Sequence, residues 1–101
     1  MEHTFKLFVS GDTARARNAR FALHDLCAEH LPGRYAIEVI DVLDQPEQAE
    51  EHRILATPAI VKMRPPPPRR AVGDLRDAER VIQALQIRLA PVQLQTKEIE
   101  A

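Results

Sequence analysis

Four consecutive prolines at positions 65–68 constrain the fold of this 101-residue chain more than any other feature. Proline fixes its φ angle and has no backbone N–H, so such a run can lie neither inside a helix nor in a central strand. We therefore expect a stiff turn with polyproline-like geometry. The segments beside it, 59–63 and 69–72, are predicted to form an antiparallel hairpin whose second strand lies at the sheet edge and ends at Gly73.

The N-terminal half has the pattern of a βαβ unit. Aromatic and β-branched residues predict strands over 5–9 and 35–42. Between them, apolar residues at helical spacing predict a helix over 14–31, with Asp12 or Thr13 as its N-cap. The two strands of such a unit are expected to run parallel.

The remaining segments predict two more helices. Proline suits the first turn of a helix, so a short helix is expected over 46–53, followed by an apolar loop over 54–58. A longer amphipathic helix is predicted over 75–89, capped by Asp74 and stopped by Pro91.

The resulting order, β-α-β-α-β-β-α, is that of a single α/β domain with the thioredoxin-like fold, expected over residues 1–91. A polar tail is expected to follow at 92–101. In that fold the proline that opens the third strand is usually cis, so the peptide bond between Thr57 and Pro58 is predicted to be cis.

Composition excludes several functional classes. The chain has 14 Lys and Arg residues against 15 Asp and Glu, a net charge of −1, which provides no overall field for nucleic acid or anionic lipid. Only four aromatic residues are available for base stacking. No apolar run approaches the roughly 20 residues that span a bilayer, and the N-terminus lacks a signal-peptide pattern, so a cytoplasmic protein without membrane contact is predicted.

The chemistry of a redox or metal enzyme is missing from the sequence. A thioredoxin-like redox site needs a thiol at the start of the first helix, but residues 11–15 contain none, and Cys27 lies on the apolar stripe of that helix. His24, Cys27 and His30 fan around the helix by about 60° per step, so they do not form a metal site. No cofactor is expected. A Ser10 or Thr13 hydroxyl beside the cis proline leaves a glutathione-binding enzyme as an alternative.

Two segments of opposite charge nearly cancel in the net charge. The acidic segment, 38–51, has six carboxylates and no Lys or Arg. The basic segment, 62–70, has no acid and contains Lys62, Arg64, Arg69 and Arg70. A charge run is commonly a solvated surface, but positive charge beside a rigid turn on an edge strand can also select an acidic protein partner. We therefore predict partner binding at these four basic residues.

The sequence also resembles the KaiB family of circadian-clock proteins. The resemblance runs without an evident gap from about Phe5 to Leu89, and its most specific parts are the segments ILATP at 54–58 and PPPPRRAVGDL at 65–75. It implies a non-enzymatic bacterial regulator that binds the hexameric KaiC ATPase, helps to sequester KaiA, and alters signalling through a sensor histidine kinase. A KaiB-like role in stress or two-component signalling without a clock stays open.

The resemblance gives expectations for individual residues. Three match basic positions expected to contact the partner: Lys62, Arg69 and Arg70. Three match positions where the backbone must turn: Pro58, Gly73 and Asp74. In the first helix, Asn18, Arg20 and Phe21 depart from the family pattern, which weakens the expectation that this helix contacts the partner.

The family resemblance further implies a metamorphic chain, with a thioredoxin-like state and a tetrameric state whose C-terminal half is rearranged. Ala84 and Gln86 stand where clock members often have Gly and Asp. Replacing Gly by Ala favours helix by about 1 kcal/mol, and replacing Asp by Gln adds a few tenths. Because two such folds differ by only a few kcal/mol, we expect this chain to rest in the thioredoxin-like state, as a monomer or dimer rather than a tetramer.

Overall fold

A computed structural model of the chain describes residues 2–87 and contains four strands and three helices in the predicted order. The elements are β1 (His3–Val9), α1 (Ala14–His30), β2 (Tyr35–Asp41), α2 (Pro46–Glu51), β3 (Ala59–Arg64), β4 (Arg69–Val72) and α3 (Ala78–Leu85). The predictions for Leu89, Pro91 and the tail at 92–101 lie outside the described residues. Among residues 2–87, no helix is long and apolar enough to cross a membrane.

The strands form one sheet in the order β2-β1-β3-β4. β1 and β2 are parallel, as a βαβ unit requires, and β3 is antiparallel to both β1 and β4. The predicted hairpin and the edge position of β4 are thereby confirmed. The cis peptide bond at Thr57–Pro58 is confirmed as well.

Both faces of the sheet carry a core because alternate residues of β1 point to opposite sides. Phe5 belongs to the larger cluster, which includes the apolar stripe of α1 and residues of α3. Phe8 belongs to the smaller cluster, formed with Ile40, Ala59 and Val61. The strand sequence of β1 therefore carries one aromatic anchor for each side of the sheet.

Thr13 is the N-cap of α1, which decides between the two predicted candidates. Its Oγ1 accepts a hydrogen bond from the backbone N–H of Ala16 at 3.0 Å. The Asp12 carboxylate instead pairs with Arg17 at 3.1 Å on the surface.

The start of α3 differs from the prediction. Its N-cap is Asp77, which accepts from the backbone N–H of Arg80, and the helix begins at Ala78. Asp74 accepts hydrogen bonds from the backbone N–H and the guanidinium of Arg76 instead. Leu75 is buried in the larger cluster, but it belongs to the loop before α3. Its position fits the apolar period of the helix although the residue itself is not helical.

The end of α3 corrects the expectation for Gln86. This residue is the C-cap and has a left-handed backbone, with φ at 53°. Its intrinsic helix propensity therefore contributes nothing to α3. Ala84 lies inside the helix and is exposed, so the propensity argument holds for it alone.

The proline turn is also different in detail. The Arg64–Pro65 and Pro66–Pro67 peptide bonds are cis. The turn is thus not the continuous polyproline-like segment that was expected, although it joins β3 to β4 at the predicted place.

Candidate protein-interaction surface

The junction between β1 and α1 lacks the means for thiol chemistry. Cys27, the single cysteine of the chain, is 0% exposed, and its burial raises the pKa of the thiol to about 12. Ser10, Thr13 and Pro58 line a shallow cavity of about 250 Å³ at the junction. The Oγ1 of Thr13 accepts the helix-capping hydrogen bond, and Thr13 and Ser10 are both exposed, so both hydroxyls of the glutathione hypothesis are still able to donate.

No group of three His, Cys, Asp or Glu side chains within residues 2–87 could hold a metal ion. Of the three residues considered above, Cys27 is buried in the core while His24 is exposed on the helix surface. The two therefore point to different environments, as the helical spacing indicated.

Of the four basic residues predicted to bind a partner, Arg64 and Arg69 are exposed on the β3–β4 hairpin. Lys62 is not, because only 3% of it is accessible. Lys62 lies two residues after Ile60, a member of the larger cluster, so the two side chains point to the same inward face of β3. The burial of Lys62 could have been predicted from the sequence, because side chains of a strand alternate between its two faces and Lys62 is two residues from the apolar Ile60.

Lys62 has an electrostatic effect inside the protein. The pKa of His3 is lowered, first by burial of the imidazole and then by nearby positive charge that includes Lys62. Lys62 is therefore part of the interior, and the expectation that it forms part of an exposed basic surface is corrected.

Arg70 is exposed but engaged within the chain. Its guanidinium donates to the carbonyl oxygens of His52 at 2.7 Å and Arg53 at 3.2 Å, at the C-terminal end of α2. The exposed basic patch on the hairpin, defined as Arg64 and Arg69, therefore excludes both Lys62 and Arg70.

The positions predicted to turn the backbone lie together at one end of the sheet. Gly73 has a φ of 100°, which a residue with a side chain rarely adopts, and its N–H donates to the Pro58 carbonyl at 3.2 Å. Next to it, hydrogen bonds from Arg76 hold the pKa of the Asp74 carboxyl well below its usual range. This arrangement joins the end of β4 to the start of β3.

An exposed apolar group at the same end of the sheet was not predicted. It consists of three side chains: Leu55, which is 96% exposed, Leu43 at 69% and Val72 at 51%. All three lie toward the end of the sheet where β2 and β4 end and β3 begins, with β2 and β4 at opposite edges. The apolar loop at 54–58 can be predicted from the sequence, but the sequence does not indicate whether Leu55 faces the core or solvent.

The acidic segment includes Leu43 and continues through α2, four residues before Leu55. α2 buries none of its residues, and the carboxylates of the region that face solvent are Asp44, Glu47, Glu50 and Glu51. Asp41 is different, since it accepts hydrogen bonds from the backbone N–H groups of Gly11 and Leu43 and thereby orders two loops. Leu43 and Leu55 are therefore exposed leucines that flank the acidic helix α2 in the chain.

Side chains on the sheet hold α2 in place. The ring of His52 packs against Phe8 with a centroid separation of 5.5 Å. Lys6 Nζ lies 3.1 Å from Gln48 Oε1 and 3.3 Å from His52 Nε2. Because an ammonium group can only donate, His52 Nε2 is the acceptor in this contact.

Comparisons with known proteins agree with this description. A model of the KaiB family, described as the KaiB domain, matches residues 6–87. The circadian clock oscillator protein KaiB of Prochlorococcus marinus (strain MIT 9211) is 45% identical over 85 residues, which cover 84% of this chain and 75% of that protein. The circadian clock protein KaiB3 of Synechocystis sp. is 39% identical over 82 residues, 81% of this chain and 80% of that protein.

Solved structures show the same fold. The N-terminal domain of SasA from Synechococcus elongatus superposes with a TM-score of 0.68 at 24% identity, covering 95% of this chain and 86% of that domain. Mitochondrial thioredoxin 3 from Saccharomyces cerevisiae gives a TM-score of 0.66 at 14% identity, covering 84% and 77%. The thioredoxin-like fold predicted from the order of elements is thus confirmed.

Proposed function

The chain belongs to the KaiB family of circadian clock proteins, and we propose that it is a non-enzymatic regulator that binds a hexameric KaiC-like ATPase. The observation that carries the proposal is the family match over residues 6–87, which spans nearly all of the described structure. The buried, high-pKa thiol of Cys27 supports a role in binding rather than in redox chemistry.

The proposed mechanism is competitive occupancy. The N-terminal domain of SasA has the same fold as this chain and presents a similar backbone surface. Two such domains can therefore compete for one binding place on an ATPase ring, and occupancy by one changes which other regulator, such as a KaiA-like protein, is recruited or released. The same mechanism would serve a clock or a stress-signalling system.

Two surfaces are candidates for the contact. The first is the basic patch of Arg64 and Arg69 on the edge hairpin, which suits an acidic partner surface. The second is the pair of exposed leucines, Leu43 and Leu55, which flank the acidic helix α2 in the chain and would suit an apolar socket with basic surroundings. We favour the basic patch because Arg69 lies in the family-specific segment 65–75 and Arg64 directly precedes it, and the second surface is an outcome of the test.

Reversing both charges of the basic patch, Arg64→Glu with Arg69→Glu, is expected to weaken binding to the KaiC-like ATPase of the same organism at least about tenfold. The matched control is Arg34→Glu, because Arg34 is half-exposed beside β2 at the opposite edge of the sheet. Lys62 is left unchanged, since a carboxylate at that buried position would destabilise the fold. Affinity is measured by surface plasmon resonance at physiological salt.

A third variant, Leu55→Asp, separates the two surfaces. Loss of binding in Leu55→Asp with full binding in the double reversal would move the contact from the basic patch to the leucines. Absence of binding by the wild-type chain would contradict the proposed function itself.

We also propose that the free chain rests in the thioredoxin-like state. Ala84→Gly is expected to weaken α3 by about 1 kcal/mol and so raise the population of any alternative fold roughly fivefold. Gln86→Gly is expected to act in the opposite direction, because glycine adopts the left-handed backbone of this C-cap without a steric penalty. Amide NMR of the free protein tests both variants, and a strand at residues 81–85 in the wild-type chain would contradict the proposal.

A further inference from the structure

His3, the first residue of β1, is an ionisable side chain that the fold encloses. Only 8% of the residue is accessible, and its ring stacks on Phe5 with a centroid separation of 6.4 Å. Its Nδ1 atom is buried and has no hydrogen-bond partner among residues 2–87. Because buried polar atoms in proteins are nearly always hydrogen-bonded, this nitrogen calls for an explanation.

The surroundings of the imidazole disfavour a positive charge. Burial is the largest cause of the lowered pKa of His3, and Glu2 opposes it. The positive charges of Lys62 and Arg34 lower this pKa further, although a hydrogen bond with the Arg34 backbone acts in the other direction. Within residues 2–87, the helices that pack on this face of the sheet, α1 and α3, contribute no charge to the effect.

Lys62 lies on the same face of the sheet as His3. It pairs in register with Phe5, and Phe5 comes two residues after His3, so the three side chains point to one side. Lys62 is only 3% accessible, so solvent screens its charge weakly. A proton on His3 would therefore place a second positive charge near one that is already buried, which is unfavourable.

Protonation also changes the hydrogen bonds that the ring requires. A neutral imidazole has one N–H donor and one acceptor nitrogen, whereas an imidazolium has a donor at both nitrogens. The charged form of His3 would therefore bury an N–H at Nδ1 with no acceptor among the described residues. An unpaired donor on a charged group costs more than an unused acceptor on a neutral ring. The fold thus accommodates the neutral form of His3.

The ring lies at the end of the sheet that carries the basic patch. β1 begins at His3, β3 ends at Arg64 and β4 begins at Arg69. Because β3 is antiparallel to both β1 and β4, these three strand ends are neighbours, and Thr4 is paired with Arg64. A change in the packing of His3 would therefore reach the strand ends that hold Arg64 and Arg69.

We propose that His3 is a pH-sensitive contact, whose protonation weakens the pairing of β1 with β3 at the end of the sheet that carries the basic patch. The folded protein binds this proton less readily than the unfolded chain, whose imidazole has a pKa of about 6.5. Stability should therefore fall as the pH decreases below about 6.5, and His3 should contribute no pH dependence well above it. The proposal concerns the free protein and is independent of the proposed function.

The first experiment compares urea denaturation of the full chain at pH 7.5 and pH 5.5. The urea midpoint of the wild-type chain is expected to fall by roughly half a molar at the lower pH. His3→Phe keeps an aromatic ring that cannot be protonated, and it should show less than about half of this shift. The matched control is His24→Gln, which changes an exposed histidine on α1 and should keep the full shift. An equal shift in His3→Phe and the wild-type chain would overturn the proposal.

The second experiment needs no variant, so it decides the question even if His3→Phe does not fold. The ring of His3 is titrated by NMR in the folded protein and in the urea-unfolded protein. Its midpoint is expected to be lower in the folded protein, and the amides of residues 3–5 and 62–64 should shift with that midpoint. Equal midpoints in the two states would overturn the proposal, as would a folded-state titration that leaves the amides of 62–64 unmoved.

Discussion

Replacing Phe8 with alanine is expected to lower the free energy of unfolding by about 3–5 kcal/mol. Phe8 is 0% exposed and is the largest member of the smaller core cluster. Its truncation leaves a cavity because the tightly packed surroundings relax only partly. The total stability of a domain is about 5–15 kcal/mol, so a loss of this size leaves the protein near its unfolding threshold. Urea denaturation followed by circular dichroism measures the change.

The matched control for this prediction is Phe21→Ala. Phe21 is 67% exposed on α1, so the same change of side chain is expected to alter stability by no more than about 0.5 kcal/mol. The ring of Phe8 also supports His52, so amides of α2 should lose exchange protection in Phe8→Ala beyond the global change. Equal losses of stability in the two variants would contradict the assignment of the smaller cluster as a core.

The order of elements could be predicted because each carries a local signal. β1 and β2 are short, aromatic or β-branched, α1 has a helical apolar period, and the proline run forces a turn before β4. The start of α3 could not be predicted in the same way. Asp74 and Asp77 are both able to cap a helix, and the choice depends on Arg76 engaging Asp74 and on Leu75 reaching the core from a loop.

The candidate surface was harder to predict than the fold. The exposure of Arg69 agrees with the edge position of β4, and Arg64 is exposed at the end of β3 beside the proline turn. The burial of Lys62 agrees with its position on the same face of β3 as Ile60, two residues earlier. The hydrogen bonds of Arg70 could not be foreseen, because they depend on how closely α2 approaches β4 in space. Contacts between segments far apart in the chain are where sequence patterns carry the least information.

The Cys27 thiol is expected to react with a thiol reagent such as DTNB at least about fiftyfold more slowly than an exposed cysteine at pH 8. Burial raises the pKa of the Cys27 thiol to about 12. The thiolate fraction of the folded protein at pH 8 is therefore lower by a large factor than that of an ordinary cysteine. The greater nucleophilicity of a more basic thiolate recovers part of this factor. Because the side chain is 0% exposed, the reagent must also wait for the protein to open locally.

The reference for this rate is an exposed thiol in the same protein, made by Ser10→Cys with Cys27→Ala. Ser10 is exposed at the junction of β1 and α1, where a redox protein of this fold would carry its thiol. The engineered thiol should react rapidly, whereas Cys27 should react slowly throughout the range from about pH 7 to 9, because the reagent reaches it only after local opening. A rate at Cys27 equal to that of the engineered thiol would mean that it is accessible and ionised. Such a result would support redox chemistry at Cys27, the single cysteine of a chain that has the thioredoxin-like fold but no thiol at the start of α1.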